Sequence, residues 1–190
     1  MEKAPGGTSV GVDDPYTHVD RCDFVTDEGK CRWAREHGHH DPEFADARSA
    51  EQFQCPVVAD ADGHDPSEST NDEPAGPWDW AECPHFRCRE RDRACARCGL
   101  AERRMAHSDE RPLLEEHHLS YRGESDEALS HEITIFLCRW CHAKVHQSWA
   151  RIDDEVGPDP DAIAEREGRR TREQSELGFE SAADRYDDDR

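Results

Sequence analysis

The clearest apolar pattern in the chain is ITIFL at residues 133–137, five β-branched, aromatic or aliphatic residues in a row. Such a run suits a buried strand. Residues 112–119, PLLEEHHL, carry enough apolar side chains for a second strand, and the polar stretch 120–130 between them reads as a loop. From Arg139 the period changes to helical. Val145 and Trp149 fall on one stripe, and His142 and His146 share a neighbouring face four residues apart. The predicted order is strand, loop, strand, helix.

Upstream, Cys22 and Cys31 flank a DEG turn signal between short apolar runs, which predicts a hairpin. A helix is expected over 42–53, opened by Asp41-Pro42. Residues 60–77 are acidic and rich in Gly, Pro and Ser, and read as a flexible insertion. Residues 159–177 predict a surface helix weakened by Gly168, with a frayed end at 186–190. The division that follows is a disordered start (1–17), a Cys/His-rich module (18–58), an acidic linker (59–77), a second module (78–152) and an acidic helix and tail (153–190).

Composition narrows the class. The 190 residues are 34% hydrophobic, and the mean hydropathy is -1.08. A large apolar core is not expected, and bound metal would compensate for it. No run of about 18 apolar residues exists to span a membrane. The start has no apolar signal segment, so a cytoplasmic location is the expectation. Nine cysteines in such a chain argue for metal ligation rather than disulfides.

The net charge is -21, and all but Lys3, Lys30 and Lys144 of the 24 basic residues are Arg. Many carboxylates with few lysines resembles the proteins of salt-accumulating haloarchaea. In molar salt the Debye length shrinks to about 3 Å, so overall acidity says little against a nucleic-acid partner. The charge is also uneven. Residues 83–151 hold 12 Lys+Arg against 11 Asp+Glu, a net of +1, which leaves -22 for the rest. Arg87, Arg89, Arg91, Arg93, Arg103 and Arg104, with Lys144, are the candidate contacts to a polyanion. A solvated arginine-rich segment paired with the acidic remainder is the alternative.

Two C-x-x-C knuckles, Cys95–Cys98 and Cys138–Cys141, form a candidate four-thiolate zinc site. Gly99 supplies the positive φ that such a turn needs. A second zinc site is open to Cys22, Cys31, Cys55 and Cys83, with His37, His40 or His85 able to replace a thiol. Buried free cysteines are the plainer reading of the same residues. Cys88 is left over, among charged neighbours. The remaining cluster is imidazole: His117, His118, His142 and His146.

HH-x-x-Y followed by LC-x-x-CH-x-x-x-H resembles the cysteine-bearing His-Asn-His (HNH) endonucleases, over residues 95–149. The resemblance implies an α+β fold with a small zinc-stabilised ββα-metal domain. It implies a divalent-metal-dependent endonuclease acting on DNA, with RNA the lesser candidate. By the same resemblance His118 is the general base, and His117, His142 and His146 are ligands of a catalytic ion such as Mg²⁺, Mn²⁺, Ni²⁺ or Zn²⁺. The four knuckle cysteines hold structural Zn²⁺. The chemistry is consistent with this: an imidazole can accept a proton near neutral pH. Glu115 and Glu116 are candidates to fix the tautomers of the histidines. The family's middle Asn would fall near Ile133, yet residues 83–151 contain no Asn; His131 and Glu132 are the candidates to replace it. A zinc-stabilised nucleic-acid-binding or protein-interaction module without catalysis is the alternative function.

Overall fold

The structure is a computed structural model that describes residues 3–59, 76–102, 113–121, 131–155 and 159–176. It is a mixed α+β fold with a three-stranded sheet. The strands are β1 (Arg87–Arg89), β2 (Leu114–Tyr121) and β3 (Glu132–Cys138), in the order β1-β3-β2. The helices are α1 (Arg32–Glu36), α2 (Pro42–Ala50), α3 (Arg139–Gln147) and α4 (Pro160–Glu176).

β3 is central because its side chains are apolar on one face and compact on the other. Ile133, Ile135 and Leu137 are buried, and Thr134 is buried on the opposite face. β1 runs parallel to β3, with Cys88 beside Ile133. β2 runs antiparallel, with His117 opposite Ile135 and His118 opposite Thr134. The register then slips at a bulge between His118 and Ser120. A bulge puts two residues against one and re-phases the alternation. That is why β2 continues to Tyr121, where the sequence suggested a loop from residue 120.

β3 passes straight into α3, whose N-cap is Cys138; its sulfur accepts from the Cys141 amide. The helix buries Cys141 and Val145. It stops at Gln147 because Ser148 is extended. Trp149 therefore leaves the Val145 stripe on which helical spacing had placed it, and is 93% exposed.

Residues 3–17 correct the expectation of disorder over 1–17, and residues 1 and 2 lie outside the described residues. Val10 and Val12 are fully buried, and Pro15–His18 forms a 3-10 turn capped by Asp14. Gly11 (φ +86°) lies against Val145 and Ile152, and its carbonyl accepts from the Ile152 amide. A side chain at Gly11 would collide with α3, so this strap is built around the absence of one.

The expected hairpin around Gly29 is present as an antiparallel bridge between Val25 and Cys31. α2 begins at Pro42 with the Asp41 carboxylate accepting the Phe44 amide at 3.0 Å. It ends at Ala50, earlier than the pattern suggested, because Gln52 and Phe53 turn into the left-handed region. α4 matches its predicted span and buries Ile163 and Glu167. The Glu167 carboxylate meets Arg139 at 2.8 Å. Buried residues from Val10 to Ile163 form one core. Residues 60–75 of the insertion expected over 60–77, most of the loop after Tyr121 and the frayed end lie outside the described residues.

No helix among the described residues is long and apolar enough to cross a membrane.

Candidate metal centres

Two groups of ligand atoms lie close together among the described residues. One is Cys95, Cys98, Cys138 and Cys141; the other is His117, His142 and His146; within each group all ligand atoms lie within 4.8 Å of one another.

The first group is assembled by hydrogen bonds between the knuckles. The Cys95 amide donates to Leu100, and the Gly99 amide to Cys95 at 2.8 Å, with Gly99 at φ +74°. The Ala96 amide donates to the Phe136 carbonyl, which fastens the first knuckle to β3. β3 in turn delivers Cys138 to its last position. The Cys98 and Cys138 sulfurs stand 3.8 Å apart. A tetrahedron with zinc–sulfur bonds of ~2.3 Å has edges of about 3.8 Å, so these thiols fit such an ion. Hydrogen bonds from the Cys138 and Cys141 thiols pull the Cys95 thiol far down, while burial pushes Cys98 up. Crowded thiols of this kind favour a shared cation. This group can hold a metal ion such as zinc.

The second group sits between β2 and α3. The His117 ring is 1% exposed and packs edge-on against His142 and His146, with centroids 5.0 Å from each. Its Nε2–H donates to the Val10 carbonyl at 2.8 Å. A carbonyl can only accept, so this contact fixes the tautomer and leaves the Nδ1 lone pair toward the cluster. His142 Nδ1 donates to the Glu115 carboxylate at 2.7 Å, which leaves its Nε2 lone pair. That atom lies 3.0 Å from His146 Nε2. Imidazole ligands at ~2.05 Å in a tetrahedron stand about 3.3 Å apart, so a small opening of this pair fits a divalent ion. Burial holds His117 down to about 4, against the smaller opposing pull of the Val10 carbonyl. Burial and His142 lower His146 as well. Both rings are thus kept neutral, as ligation requires. Three ligands leave a tetrahedral position open.

His118 does not join them. Alternation along β2 puts it on the opposite face, beside Thr134. Its ring stacks on Tyr121 at 5.2 Å and approaches Glu132 at 3.5 Å. The bulge places His118 and Tyr121 on one face. The expected convergence of four imidazoles is therefore corrected to three. Of the two carboxylates, Glu115 reaches a histidine, whereas Glu116 accepts from the Thr134 hydroxyl. His131, which stands at φ +56°, bonds Tyr16 at 2.6 Å, and its amide donates to Phe86.

The arginine stretch is largely committed to protein contacts. Asp23, 8% exposed, accepts from Arg87 Nε at 2.9 Å and Arg89 Nε at 3.0 Å, with Arg91 at 3.7 Å. Arg93 lies over Phe136 and Lys144 over Trp140. Arg103 and Arg104 lie outside the described residues. In the first module Cys22, Cys31, Cys55 and Cys83 are buried but do not form a group within 4.8 Å. His85 is stacked on Trp33 at 3.4 Å and bonded to Asp41 at 2.9 Å. His37 packs on Phe24, and His40 on His39.

Sequence reasoning missed Val10. Nothing in a Gly-containing polar start announces a carbonyl that orients a histidine more than a hundred residues away. The signal was faint: two valines flanking a glycine.

The chain belongs to a family of unknown function, DUF7097, whose match covers residues 1–185. No curated protein and no solved structure matches it.

Proposed function

We propose that this member of the DUF7097 family is a divalent-metal-dependent endonuclease of the ββα-metal, HNH-like type, acting on DNA and secondarily on RNA. The observation that carries the reading is the three-imidazole centre, with its open position and its two outer ring nitrogens already engaged. His117 comes from β2 and His142 and His146 from α3, with β3 between them in the chain, an order consistent with that fold. An ion such as Mg²⁺, Mn²⁺, Co²⁺ or Ni²⁺ bound there would neutralise charge on a phosphoryl oxygen. His117, His142 and His146 would hold it, and Glu115 and the Val10 carbonyl keep two of those rings aimed. His118 is the candidate proton acceptor for an attacking water. β2 is an edge strand, so a phosphodiester lying across that edge meets the metal centre on one face and His118 on the other. Glu132 beside His118 can orient its ring.

The test is plasmid nicking by the purified chain with each of those ions, at low and at molar salt. Cleavage that His118→Ala and His142→Ala both abolish is the expected result. No metal-dependent cleavage under any of these conditions refutes it.

A second reading is favoured by the placement of His118 and by the absence of Asn from residues 83–151. On this reading the zinc-stabilised core binds nucleic acid without cutting it. Retained DNA or RNA binding, unchanged in His118→Ala and without cleavage, distinguishes it.

A further inference from the structure

Five cysteines lie outside the 95–141 group, and four of them, Cys22, Cys31, Cys55 and Cys83, are buried on separate segments. Backbone pairing accounts for how they meet. Lys30 and Gln54 form an antiparallel bridge. Around it the Cys31 amide donates to Phe53 at 2.7 Å and the Cys55 amide to Gly29 at 2.9 Å. Residues on either side of a bridge project to the same face, so Cys31 and Cys55 emerge together. Cys22 turns back through its carbonyl to Val25, the residue that bridges Cys31. The neighbouring Asp23 amide donates to Arg87 at 2.6 Å, and Phe86 donates to the Cys83 carbonyl at 3.3 Å. Cys22 and Cys83 are thereby brought in from the β1 side.

We propose that Cys22, Cys31, Cys55 and Cys83 form a second four-thiolate site, for a thiophilic divalent ion of the zinc class, that cross-links the first module to β1.

The mutual placement of the thiols favours ligation over simple core filling. The four thiols are electrostatic neighbours of one another. A charge on Cys83 is opposed by Cys22, Cys55 and Cys31, and one on Cys22 by Cys55 and Cys31. Cys88, also buried, has Asp23 and Asp20 for such neighbours instead. Backbone amides also stand at each sulfur, Arg87 and Phe24 at Cys22, Ala34 and Trp33 at Cys31, Val57 and Val58 at Cys55, and His85 at Cys83, as Arg21 and Asp20 do at Cys88. The same arrangement occurs in the 95–141 group, where the Leu100 amide serves Cys98. Burial, with the neighbouring thiols behind it, pushes Cys22 and Cys83 up to about 12, so a cation is what would favour their ionised form. The sulfurs are more widely set than those of the 95–141 group, and binding would contract the module about the ion. The imidazoles nearby are otherwise engaged, His85 by Trp33 and Asp41.

The test uses the full chain, kept reduced and refolded with Co²⁺, and follows thiolate-to-cobalt charge-transfer absorption against added ion. Absorption that rises to two equivalents per chain is expected, since each four-thiolate site takes one ion. Cys83→Ser should lower the end point to one equivalent, and Cys88→Ser should leave it at two. Should Cys83→Ser fail to fold, the unsubstituted chain still decides. An end point at one equivalent, or disulfides among these four cysteines in the intact mass, overturns the proposal. An ion at the imidazole centre adds to the metal count but not to this absorption band. The nuclease reading can therefore fail without touching this one.

Discussion

Replacing Glu115 by alanine should weaken divalent-ion binding at the imidazole centre by about 10- to 30-fold. The carboxylate accepts from His142 Nδ1 at 2.7 Å. It fixes the tautomer that leaves Nε2 available and makes that nitrogen more basic. A hydrogen bond to a charged group contributes about 1.5–3 kcal/mol. The Glu115 and His142 side chains are 31% and 24% exposed, so solvent screening places this one at about 1.5–2 kcal/mol. At about 1.4 kcal/mol per decade, that gives the stated factor, within the range expected when an outer partner of a ligating histidine is removed. Glu115→Gln keeps a neutral acceptor and should lose less. The assay is a competition titration of Ni²⁺ or Mn²⁺ against a chelating dye, with the cysteine knuckles kept zinc-loaded. If the alanine variant binds within about threefold of the unsubstituted chain, Glu115 does not orient a ligand and the account of the centre is wrong.

Gly11→Ala should destabilise the fold by about 3 kcal/mol, since it combines a left-handed backbone with overpacking. Its Cβ would stand 2.7 Å from Val145 Cγ1, and the denaturant midpoint reads the loss. Asp23→Ala should cost about 3 kcal/mol by leaving the half-buried Arg87 without its carboxylate; an unchanged midpoint would contradict that role. Asp41→Ala should cost about 1 kcal/mol by removing the α2 cap. The Phe44 amide and then His85 lower the Asp41 pKa. The unfolded chain therefore takes up the proton first, so this contribution is full above about pH 4 and fades as pH falls through the lowered folded value. Asp41→Ala and the unsubstituted chain should thus converge in stability on acidification, as chemical denaturation at several pH values would reveal.

What could be read in the chain was local. The ITIFL run and the spacing of Cys138, Cys141, His142 and His146 follow from strand and helix periods, and β3 and α3 lie where those periods put them. The fate of His118 depended on the face that β2 presents and on a bulge one residue further on, which no propensity encodes. β1 was hidden because Arg-Cys-Arg reads as a charged surface stretch until Asp23, more than sixty residues earlier, neutralises it. Trp149 fitted the helical stripe, yet α3 ended one residue before Ser148. The strap through Val10 and Gly11 depends on shape complementarity with α3, to which polarity along the chain is blind.

Cys141 and His142 are consecutive residues of α3, and Cys138 caps the same helix. One short rod therefore carries half of the sulfur cage at its base and two of the three imidazoles above it. An ion in the cage would tie down the foot of that rod and so help to hold the upper ligands in their common aim. If both centres hold ions as proposed, a chain stripped of the cage metal should bind the second ion more weakly, and the two affinities should be measured with the cage filled and with it empty.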